Sequence, residues 1–181
     1  MIKSSVSLPL SDDHYTAIGQ VTARATAMDV IMEVFIWKLI RATSPVGRAV
    51  TTNLTTDQKR KLLKTVSHCV LSDEEHEKVR DILGGVKTVN TKRNKLIHVI
   101  WVLGENGLPA AMRVVADGKI SVSREEWAVE GINELVEDIK GVTGDLLELF
   151  RKVEINPADG LPWPSVSQPQ DQTATRQESD D

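Results

Sequence analysis

From Ser11 to about Arg41, apolar residues recur at alternating steps of three and four: Ile18, Val21, Ala25, Met28, Met32, Phe35 and Leu39. That spacing marks one face of a long α-helix and commits the chain to a helical core. Ser11 is placed to cap the helix, with Asp12 and Asp13 in the first turn where the helix dipole favours negative charge. Ser44-Pro45 is expected to close it, because the residue before a proline is driven out of the helical region. Ile31, Val34 and Trp37 add apolar surface outside the stripe. One neighbour is not enough to bury such a helix, so a second contact is predicted, with another subunit as its expected source.

Further helices follow. Thr43 to Asn53 reads as a linker. Thr55 and Gln58 have the spacing of a capping box, opening a helix over about Thr56 to Leu71 whose buried stripe is Leu62, Val66 and Cys69. Ser72 and Glu75 repeat the signal and begin a third helical region. Gly84-Gly85 interrupts it, since two interior glycines cost roughly 1 kcal/mol each relative to alanine. A break or kink is expected there, leaving a helix from about Val86 to Leu103. Ala110 to Ala116 and Lys119 to Val122 are β-prone and meet at Asp117-Gly118, a hairpin signal. Ser123 with Glu126 suggests a third capping box and a last helix from about Glu125 to Val153, with Ile132, Leu135, Ile139, Val142, Leu146, Leu149 and Val153 on one face. The chain thus divides into a leader over residues 1–10, one domain over 11–154 with its hairpin at about 110–122, and an acidic tail over 155–181. Pro, Gln, Ser, Thr and Asp dominate the tail, which is expected to be disordered beyond about Pro164.

With 181 residues and 40 % hydrophobic content the chain suits one domain. No stretch approaches the roughly 18 apolar residues of a membrane span, and Met1 to Pro9 lacks the pattern of a secretory signal, so a cytoplasmic protein is expected. Cys69 is the single cysteine, which excludes an intrachain disulfide and leaves a small buried apolar side chain as its expected role. The net charge of −4 comes from the tail, where Asp159, Asp171, Glu178, Asp180 and Asp181 face only Arg176. The remainder is near neutral, unlike a nonspecific nucleic-acid binder, yet compatible with a small site that holds a few phosphates. Lys59, Arg60, Lys61 and Lys64 read as a solvated helix face. No metal or cofactor is expected: His14, His68 and His76 have no companions at metal-ligand spacing, and Gly84-Gly85 lacks the continuation of a phosphate loop.

Arg93-Asn94-Lys95-Leu96-Ile97-His98 is the one stretch where residue type and spacing suggest a chemical site. Val86, Val89, Arg93, Leu96, Ile100 and Leu103 form a seam of helical steps, so Arg93 occupies an apolar position and calls for an anion. Asn90, Asn94 and His98 form a polar ladder beside it. On one helix Arg93 and His98 stand about 140° apart, flanking a cleft. Glu33 is a candidate counter-ion for Arg93. An arginine that grips phosphate beside an imidazole, which titrates near neutral pH, needs no metal to move a proton.

The string Arg93-Asn94-Lys95-Leu96-Ile97-His98, late in a helix of a mainly helical chain, resembles the R-x4-6-H motif of the HEPN superfamily, often written with Asn after the Arg. Trp101 is similar to the tryptophan that closely follows the histidine in bacterial members. The resemblance implies an all-α fold, an up-and-down bundle of four to five helices, here with a small β-hairpin before the last. It also implies a homodimer in which two motifs face one another, and metal-independent RNA cleavage by Arg93, Asn94 and His98. Many active members are toxins with a cognate antitoxin or serve in phage defence; others are noncatalytic. The alternative expectation is therefore a dimeric helical module that binds a protein partner or small ligand.

Overall fold

The computed structural model describes residues 8–117 and 119–154. Most of the leader, the turn at Gly118 and the acidic tail from residue 155 lie outside the described residues. The elements run α1 (Asp12–Leu39), α2 (Ser44–Thr51), α3 (Thr56–Val70), α4 (Asp73–Ile97), β1 (Ile100–Leu103), β2 (Pro109–Asp117), β3 (Lys119–Glu126) and α5 (Val129–Lys152). The chain is mainly helical, with one small antiparallel sheet of strand order β1-β2-β3. Among the described residues no helix is long and apolar enough to cross a membrane.

The expected caps form at three helices. Ser11 accepts from the His14 backbone at α1, and Thr55/Gln58 and Ser72/Glu75 make complete capping boxes at α3 and α4. Helix α1 buries Val21, Ala25, Met28, Met32, Phe35 and Leu39 as its stripe requires, and adds Ala17 and Ile36. It packs against α5 and α3, and also touches α2 and α4, while α3–α4 and α4–α5 contacts complete a ring of the four long helices. The second contact that α1 needs thus comes from within the chain.

Several expectations are corrected. The segment Thr43 to Asn53 is not a linker but contains α2, with Pro45 in its first turn, where the missing N–H is harmless. Gly47 lets α2 sit directly on the Trp37 ring, and Trp37 Nε1 donates to the Thr51 hydroxyl at 3.0 Å. Cys69 is exposed. Helix α3 buries Lys59, Leu63 and Ser67, while Leu62 and Val66 of the expected stripe are half-buried against the core beside them.

Helix α4 runs unbroken through Gly84-Gly85. A Cβ on Gly85 would meet Val142 Cγ2 of α5 at 2.9 Å, whereas one on Gly84 would meet nothing within 4 Å. Gly85 is therefore a packing glycine and Gly84 only an entropic burden. Gly84→Ala is expected to stabilise the fold by about 0.5–1 kcal/mol, and Gly85→Ala to give no such gain, as read from urea unfolding midpoints.

Helix α4 ends at Ile97 and does not reach Leu103. Ile100-Trp101-Val102-Leu103, rich in β-branched and aromatic side chains, forms β1, pairing Ile100 with Met112 and Leu103 with Pro109. The expected hairpin is thus the second half of a three-stranded meander. Ser123 and Glu126 do not cap α5: they lie in β3, opposite Arg113 and Ala110, and α5 starts after Ala128 without a side-chain cap. Glu126 instead accepts hydrogen bonds from the Asn106 side chain first and its backbone N–H second, which hold its carboxyl below the usual range. Ile132, Leu135, Ile139, Leu146, Leu149 and Val153 are buried as expected, along with Val136.

A candidate phosphate cleft at the end of helix α4

The early end of α4 shapes the site. Arg93 remains on the inward seam between Val89 and Leu96, half-buried, while His98 becomes the C-cap residue with non-helical φ −101° and ψ 54°. The 140° separation of a continuous helix no longer applies. Both residues line a single cleft of about 410 Å³, together with Asn90, Asn94, Thr55, Thr56, Asp57 and Arg113. Arg93, Asn94 and His98, the three residues singled out in the sequence, are therefore brought together.

Within the cleft, Arg93 Nη1 donates to Asn94 Oδ1 at 3.0 Å. Its Nε is buried and has no hydrogen-bond partner among the described residues. A buried guanidinium N–H in that condition is costly. The amino end of α3 borders the same space at Thr55, Thr56 and Asp57, adding the positive end of a helix dipole. Asp57 opposes this charge, but its carboxylate is bound by both Arg60 and Lys61 at 2.8 Å. Hydrogen bonds from Lys61 first and Arg60 second hold its carboxyl below the ordinary range. Arg113, reaching in from β2, supplies a second guanidinium. The balance of the cleft is cationic, with a histidine at its lip.

The carboxylate behind Arg93 is Asp29, and Glu33 has another partner. Glu33 pairs with Lys59 at 2.6 Å, with side-chain exposures of 18 % and 8 %. Lys59, read as part of a solvated face, is thus a buried cation. Asp29 Oδ2 accepts from the Thr56 hydroxyl at 2.9 Å, while Oδ1 is buried without a hydrogen-bond partner among the described residues. Burial raises the Asp29 carboxyl above its ordinary value of 3.8, against lowering by the Thr56 hydrogen bond and the charges of Lys59 and Arg93.

A raised folded value means that the folded state holds its Asp29 proton to higher pH than the unfolded chain does. Stability is therefore lost as pH rises from the unfolded carboxylate range through the folded value. Asp29→Asn is expected to remove that component. Urea midpoints measured across acidic pH should fall less steeply in the variant than in the wild type; parallel curves contradict the assignment.

Sequence reasoning missed Arg113, Asp29 and the buried role of Lys59. Arg113 carries no local signal, since only the antiparallel return of β2 brings it to α4. Asp29 lies one helical turn before Glu33 on α1, so either carboxylate could be placed opposite Arg93 by sequence alone. Trp101 sits in β1, half-buried and packed on the core, and does not line the cleft. No protein-family model, curated protein or solved structure matches this chain.

Proposed function

We propose that the chain is a metal-independent endoribonuclease of HEPN type, with Arg93, Asn94 and His98 as its catalytic residues. The observation that carries this reading is the convergence of Arg93, with its unsatisfied buried Nε, and His98 on one cationic cleft. Arg93 clamps a phosphodiester and stabilises the charge that develops on its oxygens. His98 takes the proton of the neighbouring 2′-hydroxyl, whose oxygen attacks phosphorus as the bond to the 5′-oxygen breaks. The leaving 5′-oxygen is protonated by the imidazolium or by solvent, and the product keeps a 2′,3′-cyclic phosphate. Asn94 holds the Arg93 fork through its oxygen and has its amide nitrogen left to donate to a phosphate oxygen. An up-and-down bundle that dimerises with two motifs facing one another, acting as a cytoplasmic toxin held by an antitoxin or as a phage-defence component, completes the reading.

Incubating purified protein with varied RNAs in EDTA tests it. Cleavage that His98→Ala slows by about 10²-fold or more is the expected result, and RNA left intact by the wild type overturns it.

One observation favours the second reading, a noncatalytic HEPN-like module that binds a protein partner or small ligand. The Asp29 carboxylate behind Arg93 makes the guanidinium part of a polar network with Thr56, Asn94 and Lys59. In that case Arg93→Ala lowers the melting temperature markedly and no RNA is cut. In the nuclease it chiefly lowers activity.

A further inference from the structure

Arg113 is a cation on the cleft with no counter-ion of its own. Alternation along β2 places it on the same strand face as Ala111, which is buried in the core, so this is the face turned to the helices. Ser123 stands directly across from it in β3, and the carboxylate diagonal to it is Glu125, opposite Ala111. Glu125 is already engaged by Lys95 at 3.2 Å. Among the described residues Arg113 therefore makes no hydrogen bond or ion pair, although it lines the same cleft as Arg93 and His98. The two arginines differ in depth: Arg93 is half-buried on the seam of α4 and held by Asn94, whereas Arg113 is exposed at the rim. The cleft, at about 410 Å³, also exceeds what a single phosphate group fills, since that group displaces only a few waters of about 30 Å³ each.

We infer that Arg113 binds a second phosphate of the RNA, the neighbour of the phosphodiester held by Arg93, so that the site takes a strand carrying at least two phosphates in preference to an isolated phosphodiester. The inference rests on the nuclease reading and names the substrate class of that same site. A guanidinium presents its N–H groups as a planar fork that matches the oxygens of a phosphate, and an unpaired one loses no protein partner on binding it. The neighbouring phosphate does not react, and its charge is the same before and during bond breaking. A contact to it is uniform binding, which lowers KM, whereas Arg93 meets charge that develops only as the bond breaks and so acts on kcat.

The test compares kcat/KM in EDTA for three substrates that share one scissile phosphodiester: a ribodinucleotide with no other phosphate, and the same dinucleotide with a phosphate added at its 5′ end or at its 3′ end. In the wild type one of the two additions should raise kcat/KM about five- to tenfold, through KM, and the gain should shrink as salt is raised. In Arg113→Ala that gain should fall below about twofold, the scale of a weak, screened attraction. The gain is a ratio taken within each protein, so any change in basal rate cancels. Arg113 is exposed, so its replacement is expected to leave the melting temperature unchanged. A wild type that gains from neither phosphate overturns the inference and leaves the nuclease reading standing, as does an Arg113→Ala variant that keeps the gain. Longer RNA that is cut while all three short substrates stay intact also overturns it, because one neighbouring phosphate is then not enough. RNA of every length left intact by the wild type removes the nuclease reading itself, and the inference with it.

Discussion

His98→Ala is expected to lower the rate of RNA cleavage by about 10²–10⁴-fold, the usual contribution of a positioned general acid or base, while leaving the melting temperature within error of the wild type. The second half of this expectation follows from position. His98 is exposed and lies past the last residue of α4, where only its backbone N–H takes part in the helix, bonding to the Asn94 carbonyl at 3.4 Å. Removing its ring opens no cavity in the core. Single-turnover cleavage of a labelled RNA, paired with thermal unfolding of both proteins, measures both halves. A small rate loss, or a rate loss accompanied by unfolding, contradicts the role given to His98. Arg93→Lys is the informative companion, because it keeps the charge and discards the planar fork.

Lys59→Ala should have the largest effect on stability, about 3 kcal/mol or more. The ammonium and the Glu33 carboxylate lie 2.6 Å apart, both largely withdrawn from water. Deleting one leaves the other as an uncompensated buried charge, which costs far more than the pair itself contributes. The double change Lys59→Met with Glu33→Leu removes both charges and should recover most of the loss. Urea unfolding of the two singles and the double closes a thermodynamic cycle, in which additive effects would show that the pair is not coupled. Cleavage activity should survive in the double variant, because neither residue lines the cleft.

The long helices were readable because their apolar periods are unambiguous. Val21 to Leu39 in α1 and Ile132 to Leu149 in α5 admit only a helical face, and Ser11, Thr55 and Ser72 are caps of the ordinary kind. The errors came where one pattern serves two structures. Ile100 and Leu103 continue the helical seam of Val86, Val89 and Leu96, yet they also flank Trp101 and Val102 in a strand-prone run that pairs with β2. Ser123 and Glu126 have capping-box spacing, but Ser123 and Glu126 are held instead by Arg113 and Ala110 across the sheet. Helix α1 does end before Pro45, but a proline that follows one helix serves equally well in the first turn of the next, so α2 falls within the linker expected over Thr43 to Asn53.

At the site, Arg93, Asn94 and His98 could be found because they are neighbours in sequence and because a cation in an apolar seam is conspicuous. Arg113, Thr56 and Asp29 come from three other elements, and nothing local marks them. Lys59 illustrates the opposite failure. Flanked by Arg60, Lys61 and Lys64, it looks like one more solvated cation, and only its placement against Glu33 reveals a buried one.

The central claim, that Arg93 and His98 act together on a phosphodiester through its own 2′-hydroxyl, is tested most directly by the chemistry of the cut end. RNA digested by the wild type in EDTA and examined by mass spectrometry should yield fragments ending in 2′,3′-cyclic phosphate, absent in His98→Ala. Fragments ending in a 3′-hydroxyl, or no fragments at all, would contradict it.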